Sequence, residues 1–512
     1  MRGSLLLFYS CLVFGQTSPG TPPKGLLGGT VLNSATGGPV RKAQVTLTDT
    51  SGAEMGTATN DEGRFAFTAL APGGYVLTAS REGFDPAPVH GLSRLLHVTL
   101  ASGEQKDDVA IRLTPLGVIS GRTLDQDGDP IRQIRVQALV YRYVEPGRKL
   151  IPCGHAVSND LDEYRIYNLP PGRYHLEAAS DEVRPSGPTY GTSYYPGSPD
   201  PAGATPIEVG EGQQVPGIDL TLHPTRPAGI RGRVVNHGKD LMVELEDVME
   251  GTVTEVGVDG RDGKFEIQAV LPGSYILTAR STFGGRHYAA HLPIQVGADD
   301  LEGIEMRLLP PMEIAGQIRI EGHSSVKLSR LDIDFESQTT AYKASPSDDG
   351  SFLIEGVEPD VYWVSVTNVR LEDLYLKAVR WSDRDVTQPG LDLTQGASES
   401  RLVVVMSANG GQIDGVVEDD RSAPAVNATV FLVPSSVAPS KSLFKLGMTG
   451  AGGHFRIGGI APGSYRLFAW ADVDPCEVMN DPDLLLPFNS QGKDIEISEG
   501  IKESVQLKPV ER

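Results

Sequence analysis

The sequence predicts an all-β protein, a tandem array of five antiparallel β-sandwich domains. The main observation is a phrase that occurs five times: an aromatic residue, six further residues, proline, in four copies glycine, one more residue and tyrosine. Successive prolines lie 87 to 103 residues apart, which indicates a repeated domain. Short runs that alternate apolar and polar residues, without an amphipathic helical pattern, indicate strands. The phrases run from Phe65 to Tyr75, Tyr164 to Tyr174, Phe265 to Tyr275, Phe352 to Tyr362 and Phe455 to Tyr465.

Each phrase predicts a strand, a turn and a second strand. Residues 64–68 alternate between polar and apolar side chains before the proline, and residues 75–79 alternate again after it. Proline followed by glycine suits a type II turn, in which glycine takes the positive φ of the second central position. Asp360 replaces that glycine in the fourth copy, so we expect the fourth turn to be the least ideal.

Other features complete the predicted unit. A polar turn precedes the aromatic strand, with Gly63 in the first copy and Asp162 at the equivalent place in the second. A glycine with apolar residues two positions to either side, as at Gly29, predicts the first strand, and a run such as 109–113 predicts the closing strand. Many short strands separated by turns, with little helix, are typical of a β-sandwich.

The repeat predicts the domain boundaries. Domains of about 100 residues are large enough to hold cores of their own. The predicted ranges are 1–15 for a signal peptide, then 26–115, 116–224, 225–309, 310–409 and 410–512 for the five sandwiches.

The N-terminus predicts export. Met1-Arg2 precedes an apolar run over residues 5–14, followed by small and polar residues, as in a secretory signal peptide, and the run is too short to span a bilayer. Lipidation of Cys11 is the alternative. We expect a secreted protein, periplasmic or extracellular, in which Cys153 and Cys476 are left after cleavage and no domain holds an internal disulfide.

Charge narrows the choice of partners. The formal net charge is −21, which repels phosphate backbones and anionic membranes alike. We therefore do not expect nucleic acid as a partner. From the export signal and the repeat, together with the tyrosine-rich loop described below, we expect an extracellular polysaccharide or envelope proteins as partners, and we expect no transmembrane segment.

The sequence does not predict an enzyme. It lacks the Gly-x-Ser-x-Gly, His-Glu-x-x-His and phosphate-loop patterns. Cys153-Gly154-His155 has no second cysteine or histidine at metal-ligand spacing, so a loop cysteine beside a surface histidine is the preferred interpretation. We predict no catalytic residue and no cofactor, with calcium as the one candidate metal.

The calcium candidate is an acidic loop in the second domain. Asp125, Asp127 and Asp129 alternate as at the start of a calcium-binding loop. Position twelve of that pattern is Val136 instead of glutamate, and aspartate with glycine is also what a tight hairpin requires. A weaker acidic turn covers residues 259–262.

The candidate ligand site is a tyrosine-rich insertion after the second phrase. Tyr190, Tyr194 and Tyr195 lie among glycine, proline and serine and would offer stacking faces to a sugar ring. Trp381 is a further candidate. The alternative is that these rings pack over their own sheet edge or a neighbouring domain.

These motifs resemble the carboxypeptidase regulatory-like domain. The resemblance rests on the first-strand glycine, on Ala-x-Val at Ala43 and Ala428, on the turn before the aromatic and on Pro-Gly-x-Tyr. It implies a transthyretin-like sandwich related to collagen-adhesin B-type and starch-binding-like modules, mostly non-catalytic. The lysine that would form an isopeptide in adhesin repeats is missing from the first strands at residues 30–32, 233–235 and 317–319.

Together these features predict a secreted, non-catalytic, multidomain binding protein that acts in carbohydrate binding or adhesion. The alternative is a structural spacer or envelope assembly protein without a small ligand. An accessory protein of a peptidase is a third option.

Overall fold

The computed structural model describes residues 23–85, 96–144, 147–180, 189–238, 240–248, 251, 253–258, 261–367, 374–397, 400–435, 443–470, 478–479 and 482–510. The predicted signal peptide, Cys11, Cys476 and the first two residues of the 259–262 turn lie outside these ranges. Among the described residues, no helix has the length and apolarity needed to cross a membrane.

The chain divides into two compact units, Met1–Leu116 and Gly117–Arg512. The first unit holds one β-sandwich, here sandwich 1, and the second unit holds sandwiches 2 to 5. The predicted all-β array of five sandwiches is confirmed, and strands dominate the described residues. Helical segments among the described residues include short 3-10 turns at Pro201–Gly203 and Leu328–Arg330 and a longer one at Pro482–Gln491.

Sandwich 1 shows the unit in its simplest form. One sheet has the strand order β4-β1-β7 and the other β3-β2-β5-β6. The core between them includes Leu27, Leu47 and Leu77. The strands are β1 (Gly25–Asn33), β2 (Gln44–Asp49), β3 (Glu54–Ala58), β4 (Arg64–Leu70), β5 (Gly73–Ser80), β6 (Leu96–Leu100) and β7 (Gln105–Leu113).

Sandwich 2 has additional strands. Its sheets are ordered β11-β8-β16, with β17 also on β8, and β10-β9-β12-β14, with β15 also on β12, while β13 pairs with β18. The strands are β8 (Gly117–Asp125), β9 (Arg135–Val144), β10 (Gly147–Val157), β11 (Glu163–Leu169), β12 (Gly172–Ala179), β13 (Thr189–Tyr190), β14 (Ser193–Tyr194), β15 (Ile207–Val209), β16 (Gln214–Val215), β17 (Leu220–Leu222) and β18 (Pro224–Thr225).

Sandwich 3 returns to the simple form, with sheets ordered β22-β19-β25 and β21-β20-β23-β24. Its strands β23 and β24 are longer than their counterparts in sandwich 1. The strands are β19 (Ala228–Val235), β20 (Met242–Asp247), β21 (Val253–Val256), β22 (Lys264–Val270), β23 (Gly273–Phe283), β24 (Arg286–Val296) and β25 (Leu301–Arg307).

Sandwich 4 extends one sheet to β29-β26-β34-β31-β32, opposite β28-β27-β30-β33. Its core includes a stacked aromatic pair, Phe335 and Tyr362, with ring centroids 4.3 Å apart. The strands are β26 (Met312–Glu321), β27 (Asp332–Glu336), β28 (Ala341–Ala344), β29 (Ser351–Val357), β30 (Val361–Thr367), β31 (Tyr375–Trp381), β32 (Arg384–Asp385), β33 (Leu391–Asp392) and β34 (Leu402–Ser407).

Sandwich 5 has sheets ordered β38-β35-β41 and β37-β36-β39-β40. Its strands are β35 (Gly411–Val417), β36 (Thr429–Pro434), β37 (Lys445–Met448), β38 (His454–Ile460), β39 (Gly463–Trp470), β40 (Lys493–Ile497) and β41 (Lys502–Leu507). The exact domain boundaries stay a prediction, and β18 reaches Thr225, one residue past the boundary expected at 224.

Most strand pairs are antiparallel, but each sandwich also has a parallel pair between its first strand and its closing strands. In sandwich 1 it joins Gly29 to Val109. The other sandwiches repeat it with β8 on β16 and β17, β19 on β25, β26 on β34 and β35 on β41. The closing strand therefore runs in the same direction as the first.

The repeated aromatic and the first-strand glycine face each other across one strand pair in every sandwich. The register pairs them as Gly29 with Phe65, Gly121 with Tyr164, Gly232 with Phe265, Gly316 with Phe352 and Gly415 with Phe455. A Cβ on Gly316 would lie 2.0 Å from the Phe352 ring, and one on Gly29 would lie 1.9 Å from the Val109 carbonyl oxygen. The glycine is required because the ring and the closing strand occupy the space of a side chain.

The predicted turn geometry is wrong. Glycines 73, 172 and 273 do not have positive φ, and Gly463 has a φ of 153°, far from the type II value of about 80°. The left-handed residue lies three positions before each proline. There β1 and β4 shift register next to Ala69, as in a β-bulge. Asp360 therefore carries no left-handed strain. The left-handed residues are Ala69, Asn168, Ala269, Gly356 and Gly459, with φ between 59° and 73°.

The tyrosine that ends each phrase has the same hydrogen bond in every sandwich. Its hydroxyl donates to the carbonyl oxygen of the residue before the proline, next to the end of the preceding strand. Tyr75, Tyr275, Tyr362 and Tyr465 donate to Ala71, Leu271, Glu358 and Ala461 at 2.7, 3.0, 2.8 and 2.9 Å, and Tyr174 donates to Pro170 in the same way. The fixed spacing of proline and tyrosine follows from this bond.

Candidate functional site

The tyrosine-rich insertion is folded onto its own sandwich. Tyr190 lies in β13, is 5% exposed and belongs to the core of sandwich 2. Tyr194 lies in β14, is 6% exposed and pairs with Glu177 of β12. Tyr195 is half-buried and packs against the same core. The insertion covers the outer face of the sheet, so the rings of Tyr190 and Tyr194 are buried. They do not form an open platform on which a sugar ring could stack. Ligand binding by these residues stays a prediction.

Trp381 is also part of a sandwich. It ends β31, pairs with Leu402 and Arg384, and packs partly buried against the core of sandwich 4. Trp381 belongs to the hydrophobic cluster of sandwich 4, whereas Tyr190 and Tyr195 belong to that of sandwich 2. Its role as a ligand contact likewise stays a prediction.

The acidic loop of sandwich 2 is a hairpin turn. One carboxylate oxygen of Asp125 accepts the backbone N–H groups of Asp127 and Asp129, each at 2.9 Å. Among the described residues, no group of three or more histidine, cysteine, aspartate or glutamate side chains is placed to hold a metal ion. The geometry of this loop is therefore explained by the turn, and calcium binding has no support beyond the sequence pattern.

Cys153 lies in a strand instead of the loop that the sequence suggested. It is part of β10, and its thiol donates to the Ala138 carbonyl oxygen at 3.1 Å. This places Cys153 on the strand pair β9–β10 of sandwich 2.

A group of buried polar side chains, here the polar cluster, lies on the covered outer face of sandwich 2. It is formed by Gln137, His175, Glu177 and Tyr194. All four side chains belong to residues less than 9% exposed, and Glu177 is 3% exposed. They lie on the face opposite the core because alternate residues of β9 and β12 point outward. Leu139, Leu150 and Tyr194 form a small apolar cluster on the same face. Polar groups of this kind normally face water.

Two acceptor atoms of the polar cluster lack a donor. Glu177 Oε2 and Gln137 Oε1 are buried and have no hydrogen-bond partner among the described residues. The two residues sit directly opposite each other on β12 and β9, where Cβ atoms are about 5 Å apart. A buried acceptor without a donor costs roughly 1–3 kcal/mol. A proton on Glu177 would supply the missing donor.

Burial governs the charge state of the polar cluster. Loss of solvent raises the pKa of Glu177, and Asp247 of sandwich 3 raises it further, while the hydrogen bond from Tyr194 and the charge of Arg135 lower it. Burial, then the Glu177 carboxylate, also raises the pKa of Tyr194. Glu177 is thus poised to hold a proton more readily than an exposed glutamate.

The contact between sandwiches 3 and 4 is built around Glu358, which precedes the proline of the fourth phrase. Its carboxylate lies 2.8 Å from His291 Nε2 and 3.6 Å from Arg280 of sandwich 3. The His291 side chain is 1% exposed, and its Nδ1 lies 3.1 Å from Thr278 Oγ1. The hydrogen bond with His291 lowers the pKa of Glu358. The ionised form of Glu358 is therefore the one that holds this contact.

The contact between sandwiches 4 and 5 is built around Glu499. One of its oxygens accepts hydrogen bonds from Lys377, Tyr375 and Ser407 at 3.2, 3.3 and 3.4 Å. Hydrogen bonds to Glu321 and Glu499 raise the pKa of Lys377 to about 12. The adjacent Gly500 N–H donates to the Asn409 carbonyl oxygen at 2.7 Å.

Sequence reasoning missed Glu177, Glu358 and Glu499. Glu177 follows the alternation of an outward strand position, which normally indicates solvent, and nothing local shows that an insertion covers it. Glu358 had a usable signal, because it replaces the alanine, proline or leucine that precedes the phrase proline in the other copies. The partners of its carboxylate are 67 or more residues away in sequence, so they were not predictable.

The comparisons with known proteins identify the first sandwich. Residues 27–114, which form sandwich 1, match the Carboxypeptidase regulatory-like domain family, and this match confirms the resemblance inferred from the motifs. No curated protein matches the chain.

Solved structures with some likeness include three proteins of Gram-positive bacteria. The minor pilin of Streptococcus agalactiae is 14% identical over 40% of this chain and 96% of its own, with a TM-score of 0.24. The major pilin subunit of Bacillus cereus is 11% identical over 56% and 99%, with a TM-score of 0.18. The Bacillus anthracis TIE protein is 11% identical over 95% and 67%, with a TM-score of 0.16. At these TM-scores neither a shared fold nor a shared function follows from the likeness.

Proposed function

We propose that this chain, whose first sandwich matches the carboxypeptidase regulatory-like domain family, is an exported, non-catalytic spacer that presents or joins other components outside the cell. The observation that carries the proposal is the pair of contacts at Glu358 and Glu499. Each contact fastens a sandwich to the one before it, because a glutamate next to a strand end or in a turn meets a side chain held on a strand of the preceding sandwich. A spacer needs this property, because sandwiches joined only by linkers would move independently.

The two contacts differ in the strength we expect. His291 is buried, so removal of Glu358 would leave a desolvated imidazole without its partner. Lys377 and Glu499 are each more than a third exposed, and exposed ion pairs contribute only about 0–1 kcal/mol. The contact at Glu358 should therefore dominate the coupling of neighbouring sandwiches.

A distance measurement on the full chain tests the proposal. Spin labels at Tyr167 of sandwich 2 and Leu446 of sandwich 5, both exposed, would be placed in a Cys153→Ser/Cys476→Ser background. We expect a narrow distance distribution that broadens in Glu358→Ala/Glu499→Ala and is unchanged in the control Glu208→Ala, whose side chain is exposed. A broad distribution in the parent protein would contradict a spacer role.

Carbohydrate binding is the second proposal, and one exposed aromatic pair favours it. Phe283 at the tip of the β23–β24 hairpin is 64% exposed, and its ring centroid lies 6.4 Å from that of Tyr288. Exposed ring faces beside the polar Arg286 and His287 suit the apolar face and hydroxyl rim of a sugar. The buried rings of Tyr190 and Tyr194 do not offer such faces.

A glycan array with the full chain tests this second proposal. Saturable binding that is lost in Phe283→Ala and kept in Tyr194→Phe would identify the hairpin tip as the sugar-binding site. Loss in Tyr195→Ala, with Phe283→Ala unaffected, would instead support the site expected from sequence. No binding to neutral or acidic glycans would reject carbohydrate recognition and leave the spacer role intact.

A further inference from the structure

The link between sandwiches 4 and 5 contains the one Asn-Gly pair of the sequence, Asn409–Gly410. It lies between the end of β34 at Ser407 and the start of β35 at Gly411. In such a pair the backbone nitrogen of the glycine can attack the side-chain amide carbon of the asparagine, because the glycine has no Cβ to hinder the approach. Asparagine is therefore most prone to spontaneous cyclisation when glycine follows it.

The structure leaves both reacting groups free. Asn409 is exposed, and among the described residues neither its side-chain amide nor the N–H of Gly410 has a hydrogen-bond partner. Both residues line a cleft of about 230 Å³, together with Lys502, so water reaches them. Packing explains why residue 410 is glycine, since a Cβ there would lie 2.8 Å from the Cα of Gly459.

The backbone of Asn409 belongs to the contact between the two sandwiches. Its N–H donates to Ser407 Oγ at 3.1 Å, and Ser407 Oγ donates in turn to Glu499 at 3.4 Å. Its carbonyl oxygen accepts the N–H of Gly500 at 2.7 Å. A change of the main chain at residue 409 therefore acts directly on the contact at Glu499.

We propose that Asn409–Gly410 is a self-modification site through which the contact between sandwiches 4 and 5 loosens as the protein ages. In the first step a bond forms between the Gly410 nitrogen and Asn409 Cγ, and the bond from Cγ to the side-chain nitrogen breaks. The proton of the Gly410 nitrogen leaves with that side-chain nitrogen as ammonia. In the second step water adds to one of the two carbonyl carbons of the five-membered imide and opens the ring, so no oxidant or reductant is needed.

Both products of ring opening disturb the contact. Attack at Cγ gives aspartate, and attack at the backbone carbonyl carbon gives isoaspartate; each adds one negative charge near the carboxylate of Glu499, which repels it. Isoaspartate also adds one carbon to the main chain and converts the carbonyl that accepts the Gly500 N–H into a carboxylate. The contact at Glu358 is unaffected. The inference goes beyond the spacer role, which concerns the unmodified chain.

Peptide mapping by mass spectrometry tests the chemistry on the full chain, freshly purified and after incubation in mildly alkaline buffer. We expect loss of the asparagine form at residue 409 and the appearance of isoaspartate there, detected with an isoaspartyl methyltransferase. The internal control is Asn427, which is also exposed but precedes Ala428 and should stay intact. If Asn409 is as stable as Asn427 in the folded chain, the proposal is overturned.

Spin labels at Leu353 of sandwich 4 and Leu446 of sandwich 5, both exposed, test the loosening in the full chain with Cys153→Ser/Cys476→Ser. We expect the distance distribution to broaden on incubation of the parent and to stay narrow in Asn409→Gln, whose longer side chain cannot close the five-membered ring. Fresh Asn409→Asp, which has the added charge on an ordinary main chain, should show a smaller broadening.

Two outcomes would overturn the loosening, and they differ in what they mean for the spacer role. A distribution that stays narrow after Asn409 has been converted would reject the loosening alone. A distribution that is already broad in the fresh parent would reject both, because no fixed contact would exist to be loosened.

Discussion

Sandwiches 2 and 5 both cover the outer face of a sheet with chain inserted after the phrase, and they do so with opposite chemistry. In sandwich 5 the covering segment Pro482–Gln491 contributes Leu485 and Phe488 to a cluster with Phe431, Phe468 and Trp470. In sandwich 2 the insertion lies over the polar cluster around Glu177. A segment that covers the outer face of a sheet can therefore either enlarge the hydrophobic core or bury a titratable group. Which of these occurs depends on the outward-facing residues of the covered strands.

The largest expected effect is in the apolar cluster of sandwich 5. Trp470→Ala removes a ring that is 6% exposed and lies 5.0 Å from the Phe488 ring centroid. The cavity should cost about 3–5 kcal/mol, enough to unfold sandwich 5. Calorimetry of the full chain should show one transition lost or strongly lowered. The exposed control Phe283→Ala should change the free energy of unfolding by no more than about 0.5 kcal/mol. An equal loss of stability in this control would contradict a specific role for the buried cluster.

The next effect compares the two sandwiches at an identical position. Tyr465→Phe and Tyr174→Phe each remove the hydroxyl that donates to the residue before the proline. Each should destabilise its own sandwich by about 1–3 kcal/mol, because a carbonyl oxygen loses its partner. Chemical denaturation would measure this, with exposed Tyr167→Phe as the control. No change in either variant would show that the bond is incidental.

A smaller effect, with a defined pH dependence, tests the polar side. Burial raises the pKa of Glu177, so its ionised form opposes folding at neutral pH and this penalty disappears as the pH falls to the ordinary glutamate value of 4.5. Glu177→Gln should therefore raise the melting temperature of sandwich 2 at pH 7 and have little effect near pH 4.5. A lower melting temperature at pH 7 would mean that the carboxylate stabilises the cluster.

The smallest expected effect concerns calcium. A site that binds only the folded state adds about 2.7 kcal/mol at a hundredfold excess of ligand over Kd. Because Asp125 already accepts two backbone N–H groups in its turn, we expect millimolar Ca²⁺ to leave the melting temperature of sandwich 2 unchanged. An upward shift that Asp127→Ala abolishes would establish a site there.

The fold was largely predictable because its signals are local and repeated. Alternation predicted both strands of each phrase, and β4 (Arg64–Leu70) and β5 (Gly73–Ser80) match them. The error in the turn has a physical cause, since Pro-Gly usually indicates a left-handed glycine. Here the left-handed residue is Ala69, at a bulge that no sequence rule for turns describes.

The candidate site was less predictable because burial is a long-range property. Tyr190 and Tyr194 have the composition of an exposed loop, and only the pairing of Tyr194 with Glu177 shows that the insertion joins the sheet. The influence of Asp247 on Glu177 joins residues of two sandwiches, 70 positions apart. A single sequence has no signal for such a long-range influence.

The parallel pairing of first and closing strands has a mechanical consequence. The chain enters sandwich 1 at the start of β1 and leaves it at the end of β7, and these two points lie at opposite ends of neighbouring parallel strands. A force that pulls the two ends apart runs along the strands, across their hydrogen bonds, and so loads all the bonds of the pair in shear at once. An antiparallel pair pulled from one end would instead open bond by bond. The parallel pair in every sandwich of this chain therefore resists tension applied between the ends of that sandwich.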